Sequence, residues 1–266
     1  MASTAPYLRT ELAQQWQDQD VFSVVQQLNG DVFRDKEGRR TLRFKLQDKS
    51  YFLKVHQGIG WQEIIKNLLQ LRMPVISAKN EWQAIRFLEK HQIDTMTIAA
   101  YGERGFNPAK IKSFIVTDEL TDTMSLEHLG QQWKKTPPTF KTKIALIEKL
   151  AQITKTMHEN GMNHRDFYLC HFLLDQRFAE HNTIDENTKL FLIDLHRAQL
   201  RAKTPLRWII KDLGSLYFSA AEVALTKRDL FRFMKAYSGD NLRNIVNNKQ
   251  EFWVNVEQRA KKLISE

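Results

Sequence analysis

The sequence predicts a two-lobed α+β fold, with a small antiparallel-sheet lobe over residues 1–118 and a mainly helical lobe over residues 119–266. Two observations predict it. Segments with the apolar-polar alternation of a half-buried strand occur early in the chain, as residues 41–46 do. From residue 125 onward, apolar residues recur at the spacing of helices, most clearly over residues 140–159. The two lobes are expected to act as one functional domain.

The first lobe is expected to combine two helices and a helical cap with an antiparallel sheet. A short polar helix is predicted over residues 9–19, before a turn that Asn29-Gly30-Asp31 indicates. Strands are predicted at residues 32–34, 40–45, 49–55, 95–101 and 111–117, with a turn at Glu37 and Gly38 between the first two. Amphipathic helices are predicted over residues 61–71, ended by Pro74, and from about residue 78 to residue 90.

Lys54 and Glu81 are candidates for a functional ion pair. Lys54 lies inside the apolar strand at residues 49–55, where a lysine is costly to bury without a partner. Glu81 shares one helix face with Ile85 and Leu88, so it is expected to point inward toward Lys54. The alternatives are an edge-strand lysine with its head in solvent and a solvated glutamate that stabilises the first helical turn.

The second lobe begins where Glu119 follows the last predicted strand of the sheet, and this is where we expect the connection between the lobes. Helices are predicted over residues 126–133, 140–159, 216–225, 228–237 and 251–263, and another helix opens near Arg207. Gly161 is in the position of a C-terminal helix cap. Short strands are predicted at residues 172–174 and 190–193.

Two acidic residues in the second lobe carry the chemistry that the sequence predicts. His164-Arg165-Asp166 matches the catalytic-loop motif of the protein-kinase superfold, and Asp194 follows an apolar strand as the metal-binding Asp of that fold does. Phosphoryl transfer needs one carboxylate to hold the acceptor hydroxyl and another to hold a metal on the nucleotide phosphates. The tripeptide is short, and an Asp after a strand is also typical of a turn.

The segment that follows Asp194 is short. Protein kinases place a long activation segment and a peptide-docking platform there, whereas this chain begins its next helix near Arg207. Sugars or small metabolites are therefore favoured over polypeptides as acceptors. Lys66, Arg72, Arg197, Arg201 and Lys203 are candidates for holding an anionic acceptor, although a solvated charged surface also explains them.

Composition and charge indicate the cellular compartment and the kinds of partner to expect. The chain has 266 residues with 42% apolar and 27% charged residues, which is ordinary for a globular protein. Its one cysteine favours a reducing compartment, and we expect neither a signal peptide nor a transmembrane segment. The net charge of +9 suits anionic partners such as nucleotides, acidic lipids or an acidic protein. We expect no nucleic-acid partner.

The run H-R-D-F-Y-L-C-H-F-L-L, with P-V-I-S-A-K-N-E-W and R-W-I-I-K-D-L, resembles the bacterial lipopolysaccharide core heptose(I) kinase family. The resemblance extends from about residue 20 to residue 260. It implies ATP- and Mg²⁺-dependent phosphorylation of the first inner-core heptose on its 4-hydroxyl. The implied acceptor is the lipid-anchored heptose-Kdo-lipid A inner core at the cytoplasmic face of the inner membrane. It also implies peripheral membrane contact and an association with acyl carrier protein.

By position, the resemblance makes Asp166 the catalytic base, with His164 and Arg165 in the same motif, and Asp194 the metal ligand. It also makes Lys54 the phosphate anchor with Glu81 as its partner. Glu119 falls in the connection whose backbone groups contact the adenine in kinases.

Two positions depart from the wider kinase pattern. His171 stands where kinases place an Asn that binds a second metal ion, and His196 stands where they place a Gly. A neutral imidazole is a poor ligand for Mg²⁺, so His171 is a weak metal-ligand candidate that alternatively orients Asp166 or faces the acceptor. His196 is interpreted as a turn-stabilising histidine.

Two other function classes compete with the heptose kinase. One is a kinase of another core sugar, such as 3-deoxy-manno-octulosonic acid, or of a protein acceptor. The other is a pseudokinase that only binds acidic partners. The presence of Lys54, Glu81, Asp166 and Asp194 argues against a pseudokinase, whereas the glycine-poor phosphate loop and His171 favour it mildly.

Overall fold

The computed structural model describes residues 5–36, 38–70, 74–176, 184–185, 187–221, 223 and 225–265. It divides into two compact units. The first contains residues up to 86 and residues 96–120, and the second contains residues 87–95 and 121–266. Antiparallel strands and many helices make the fold mixed α and β, as the sequence predicts. The predicted turn residue Glu37 and the basic candidate Arg72 lie outside the described residues.

The first unit is built on a six-stranded antiparallel sheet in the order β1-β5-β6-β4-β3-β2. Its strands are β1 Tyr7–Leu8, β2 Asp31–Lys36, β3 Arg39–Leu46, β4 Lys49–His56, β5 Ile98–Arg104 and β6 Lys112–Asp118. Alternate residues of β3 and β4, such as Leu42 and Leu53, are buried, because the period of a strand places them on one face.

Helices α1 Thr10–Gln15, α2 Val21–Gln27 and α3 Gly60–Leu69 belong to the first unit, and α4 Lys79–Lys90 runs from the first unit into the second. The helix predicted over residues 9–19 is present as α1, but it is shorter and ends at Gln15, before Asp18 adopts a left-handed backbone with φ of 61°. Helix α2 was not predicted from the sequence. Val21, Phe22 and Val25 of α2 pack into the core of this unit.

The second unit contains two small antiparallel sheets and six α-helices in its described part, in addition to the end of α4. The strands are β7 Thr123–Ser125, β8 Met162–Asn163, β9 Phe172–Asp175, β10 Leu190–Leu192 and β11 Gln199–Leu200, paired as β10-β9-β7 and β11-β8. The helices that precede the catalytic motif are α5 Leu126–Lys135 and α6 Phe140–Glu159. Gly161 has a φ of 93°, and a Cβ there would lie 1.8 Å from the carbonyl oxygen of Arg201, so only glycine fits after α6.

The remaining helices are α7 Leu206–Ala220, α8 Lys227–Ser238, α9 Leu242–Asn248 and α10 Gln250–Ser265. The sequence predicts one helix that opens near Arg207 and another over residues 216–225. The structure instead has one continuous helix, α7, whose middle residues, Asp212 to Leu216, are buried on every side because α10, α5 and the region around Asp166 pack around them. No described helix is long and apolar enough to span a membrane.

Candidate active site

Asp166 lies in the loop between β8 and a 3-10 turn at Leu169–His171. One of its carboxylate oxygens, Oδ1, accepts a hydrogen bond from Nη1 of Arg197 at 2.6 Å. The side chain is 18% exposed, and Oδ2 has no hydrogen bond within the described residues. The arrangement fixes the carboxylate and leaves one oxygen available to accept a proton.

His164 is fully buried beneath Asp166. Its ring Nε2 lies 2.9 Å from the carbonyl oxygen of Ile193, and its Nδ1 lies 3.3 Å from the backbone nitrogen of Asp166. Burial lowers the pKa of His164, which favours the neutral ring. A neutral ring that donates from Nε2 and accepts at Nδ1 satisfies both contacts. His164 therefore ties the loop of Asp166 to the strand that leads to Asp194.

Asp212 is a buried carboxylate that holds this loop, and its role was not predicted from the sequence. It is 0% exposed and accepts hydrogen bonds from the backbone N–H groups of His164 at 2.6 Å and Arg165 at 2.9 Å. Arg165 has a φ of 77°, a left-handed conformation that a non-glycine residue rarely adopts without support. The available signal was a carboxylate within the apolar run of α7, where a charge must have partners.

Asp194 follows β10 in a left-handed conformation, with a φ of 59°. Its Oδ1 lies 2.7 Å from Nδ1 of His196, and its Oδ2 lies 3.5 Å from Nε2 of His171. The Nδ1 of His171 in turn lies 2.6 Å from the carbonyl oxygen of Asp166. His171 therefore bridges the two acidic residues, which explains a histidine at this position by geometry.

The donor set around Asp194 suits one hard cation held mainly by its carboxylate. Among the described residues, no three His, Cys, Asp or Glu side chains are arranged to hold a metal ion by themselves. Mg²⁺ commonly binds through one or two carboxylates together with water and substrate phosphates, so Asp194 fits it. The imidazole of His171 is a poor match for Mg²⁺.

In the first unit, Nζ of Lys54 on β4 lies 2.7 Å from Oε1 of Glu81 on α4. Glu81 is 1% exposed, and Ile85 and Leu88 on the same helix face are fully buried. The helical period therefore carries Glu81 inward with the apolar residues, and the ion pair expected from the sequence is present.

Glu119 is held by the first unit rather than left open to solvent. Its backbone N–H donates to the carbonyl oxygen of Ser50 at 3.0 Å, and its carboxylate accepts from Nη1 of Arg43 at 3.1 Å. Burial raises the pKa of this carboxyl, but hydrogen bonds from Ser50 and Arg43 outweigh it and hold the pKa below its usual value.

The basic residues singled out in the sequence have different partners within their own units. Lys66 pairs with Glu63 at 3.3 Å, and Arg197 contacts Asp166. Arg201 hydrogen-bonds the side-chain oxygens of Asn163 and Gln199. Arg197 therefore contacts the candidate base directly, and the sequence did not predict this contact.

The second unit also contains an apolar cavity of about 460 Å³ that is partly open to solvent. Its walls come from several helices and include Leu129, Trp133, Leu150, Leu216, Met234 and Ile245. Nothing in the sequence predicted this cavity, since the same residues would also fill a solid core. Its size and apolar walls suit a hydrocarbon chain.

Comparison with known proteins places the chain among lipopolysaccharide kinases. The family model described as Lipopolysaccharide kinase (Kdo/WaaP) family matches residues 23–237, so the chain belongs to this family.

The individual relatives have a narrower named activity than the family model. The chain is 50% identical over 243 residues to the lipopolysaccharide core heptose(I) kinase WaaP of Escherichia coli strain K12, covering 91% of each chain. It is 47% identical over 248 residues to the WaaP of Pseudomonas aeruginosa, covering 93% of this chain and 91% of that protein. A solved structure of WaaP in complex with acyl carrier protein matches with a TM-score of 0.83 and 41% identity, covering 98% of this chain and 99% of that one.

Proposed function

We propose that this protein is an ATP-dependent kinase that phosphorylates the first heptose of the lipopolysaccharide inner core. The observation that carries the proposal is the carboxylate of Asp166, held at Oδ1 by Arg197 with Oδ2 unbonded within the described residues, in a chain 50% identical to a named heptose(I) kinase. The 4-hydroxyl as the site of transfer follows from the family resemblance.

Asp166 is the proposed catalytic base. Its Oδ2 accepts the proton of the heptose hydroxyl while the hydroxyl oxygen forms a bond to the γ-phosphorus of ATP. The bond between that phosphorus and the bridging oxygen breaks, and ADP leaves with the electron pair. Arg197 keeps the carboxylate oriented, and His164 and Asp212 keep the loop in place. We assign His164 a positioning role because it is fully buried.

Lys54 is the proposed anchor for the nucleotide phosphates, and Glu81 orients its ammonium group. Asp194 is the proposed ligand of Mg²⁺, which neutralises charge on the phosphates when bound. His171 orients Asp194 and the loop of Asp166 in this proposal, and a second metal ion is not required. The segment at Glu119 is proposed to contact the adenine.

The fold is proposed to be the bilobal protein-kinase-like one, with the sheet unit as the nucleotide-anchoring lobe and the helical unit as the catalytic lobe. The division near residue 118 expected from the sequence belongs to this proposal. Its support is the order of the parts along the chain: Lys54 on β4, Glu81 on α4, Asp166 in a loop and Asp194 after β10. Protein kinases use the same order.

We propose that the protein works peripherally at the cytoplasmic face of the inner membrane. The support is helix α3, which exposes Trp61, Ile65, Leu68 and Leu69 along one face, with Leu69 80% exposed. Exposed apolar residues at helical spacing with an interfacial tryptophan are typical of helices that lie in a membrane surface. The net charge of +9 suits anionic lipid heads.

An acyl carrier protein is a further proposed partner, because a related WaaP was solved in complex with one. The apolar cavity of about 460 Å³ offers a place for the acyl chain that such a carrier bears. Acylated carrier protein should therefore bind more tightly than the unacylated form. Equal affinities, measured by calorimetry, would remove the cavity from this proposal.

The function is tested by transfer of label from γ-labelled ATP to purified lipopolysaccharide that lacks heptose phosphate. The wild-type protein should label the heptose, and an Asp166→Ala variant with unchanged thermal unfolding should not. Transfer to another core sugar would change the acceptor. ATP binding without transfer to any core sugar would favour a protein acceptor, and the absence of both would favour a binding module.

A further inference from the structure

Four cationic side chains of the second unit surround the indole ring of Trp208. The ring centroid lies 5.4 Å from Cζ of Arg165, 6.0 Å from Cζ of Arg201, 5.5 Å from Cζ of Arg207 and 4.5 Å from Nζ of Lys211. A cation over an aromatic face is attracted by the ring, but four cations sharing one ring also repel one another. We call these five residues the Trp208 cluster.

Positive charge is in excess around the Trp208 cluster. Within the described residues, Arg165, Arg207 and Lys211 form no salt bridge, and the guanidinium of Arg201 donates only to neutral amide oxygens. The carboxylates of Asp166 and Asp212 favour the charged form of Arg165, so two carboxylates stand against four cations. A local excess of positive charge attracts anions.

The pKa values of two cluster residues are lowered partly by the neighbouring cations. The pKa of Lys211 is lowered first by burial and then by the charges of Arg259 and Arg165, and the pKa of Arg201 is lowered by burial and by Arg207. An anion between these groups would counter the repulsion and raise both pKa values.

The backbone adds to this positive field. Arg207 and Trp208 lie in the first turn of α7, a 15-residue helix that has no acidic residue in that turn and no side-chain cap at Pro205. Helix N-termini favour anions and disfavour cations, so arginine here is unfavourable without a ligand. The Nε1 of Trp208 is buried and has no hydrogen-bond partner within the described residues. Three kinds of donor are therefore present: guanidinium, indole N–H and helix N-terminus.

One residue of the Trp208 cluster is adjacent in sequence to the proposed base. Arg165 precedes Asp166, and the N–H of Arg165 is fixed to Asp212 of the helix that carries Trp208. We propose that the Trp208 cluster binds an anionic group of the acceptor, a phosphate or sugar carboxylate that lies near the hydroxyl to be phosphorylated. Arginine forks and a helix N-terminus suit such oxygens. This inference rests on the proposed function, because it needs an anionic glycolipid acceptor.

The test compares two double variants with the same change in charge. Arg207→Gln/Lys211→Gln removes two exposed cations of the cluster, and Arg228→Gln/Arg243→Gln removes two exposed cations elsewhere in the same unit. The cluster variant should raise KM for the acceptor about tenfold or more, as the loss of charge-assisted contacts implies, while KM for ATP and kcat stay within about twofold. The control variant should leave all three unchanged.

Direct binding of the same acceptor, in micelles and without nucleotide, separates this inference from the proposed function. Weaker binding by the cluster variant alone supports the anion site even if the wild-type protein transfers no phosphate. Equal acceptor affinities, a rise only in KM for ATP, or equal losses in both double variants would each overturn it. Vesicles of phosphatidylglycerol without acceptor test the lipid source, and an equal loss of binding to them would assign the cluster to lipid heads instead.

Discussion

The guanidinium of Arg197 contacts the carboxylate of Asp166 through one oxygen only, with 2.6 Å between Nη1 and Oδ1. Arg197 lies in the short segment after Asp194, so the ion pair joins that segment to the catalytic loop. A single-oxygen contact restricts rotation of the carboxylate while leaving Oδ2 for the acceptor. Arg197 is therefore a positioning residue in the proposed mechanism.

Replacing Arg197 should slow transfer without preventing nucleotide binding. We expect Arg197→Met to lower kcat by about tenfold to a hundredfold, because the base loses its fixed orientation, with KM for ATP nearly unchanged. Arg197→Lys should recover part of kcat, since an ammonium group restores one charged contact. The measurement is steady-state label transfer. A rise in KM for the acceptor with normal kcat would place Arg197 on the acceptor instead.

The pair of Lys54 and Glu81 should govern nucleotide handling. Lys54→Met is expected to lower kcat/KM for ATP by about a hundredfold or more, because the charged contact to phosphate is lost. Glu81→Gln should lower the same ratio less, since the lysine remains but is no longer oriented. Lys49→Met, a change at an exposed lysine on the same strand, is the control. Near-normal kcat/KM in Lys54→Met would remove this assignment.

Asp212 should matter for both stability and activity. Asp212→Asn replaces an acceptor of two backbone hydrogen bonds by an amide that also presents a donor group inside the core. We expect a loss of about 2–4 kcal/mol in the free energy of unfolding, in line with an unsatisfied buried group, and a large fall in kcat. Urea denaturation and label transfer measure the two effects. Unchanged stability would show that Asp212 does not hold the loop.

Asp229 should make the second unit sensitive to strong acid. Burial raises the pKa of its carboxyl, but hydrogen bonds from Lys143 and Thr226 outweigh this and lower the pKa to about 2. Because the folded pKa lies below the ordinary value of 3.8, the stabilisation is complete above pH 3.8 and is lost as pH falls through about 2.

The corresponding variant is Asp229→Asn. At neutral pH it should be about 2 kcal/mol less stable than the wild-type protein, as the size of the pKa shift implies. The difference should shrink as pH falls from 4 toward about 2. Denaturation at a series of pH values measures it. A difference that stays constant over this range would show that the carboxylate charge contributes nothing.

Helix α3 should govern membrane contact. Leu69→Glu places a charge on the exposed apolar face and should weaken binding to anionic vesicles by at least about tenfold, because burying a leucine contributes about 1.5–3 kcal/mol. Gln70→Glu adds the same charge at the next residue and is the matched control. Cosedimentation measures both. An equal effect of the two changes would mean that only net charge matters.

The local pattern of apolar and polar residues was sufficient to predict much of the secondary structure. The alternation in β3 and β4, the helical period of α6 and Gly161 after it are properties of neighbouring residues, so the sequence alone predicted these elements. It also predicted that Glu81 turns inward, because Ile85 and Leu88 share its helix face. Helix α2 was not predicted, since its seven residues are too few to show a clear helical period.

The sequence by itself determined the order and identity of the candidate catalytic acidic residues, Asp166 and Asp194, because each lies in a short motif of consecutive residues. Only the tertiary structure decided which groups surround them. Asp212 reaches His164 across 48 positions and Arg197 reaches Asp166 across 31, and no local period records contacts of that length. The convergence of Arg165, Arg201, Arg207 and Lys211 on Trp208 has the same origin, since a loop, a strand end and a helix meet only after packing.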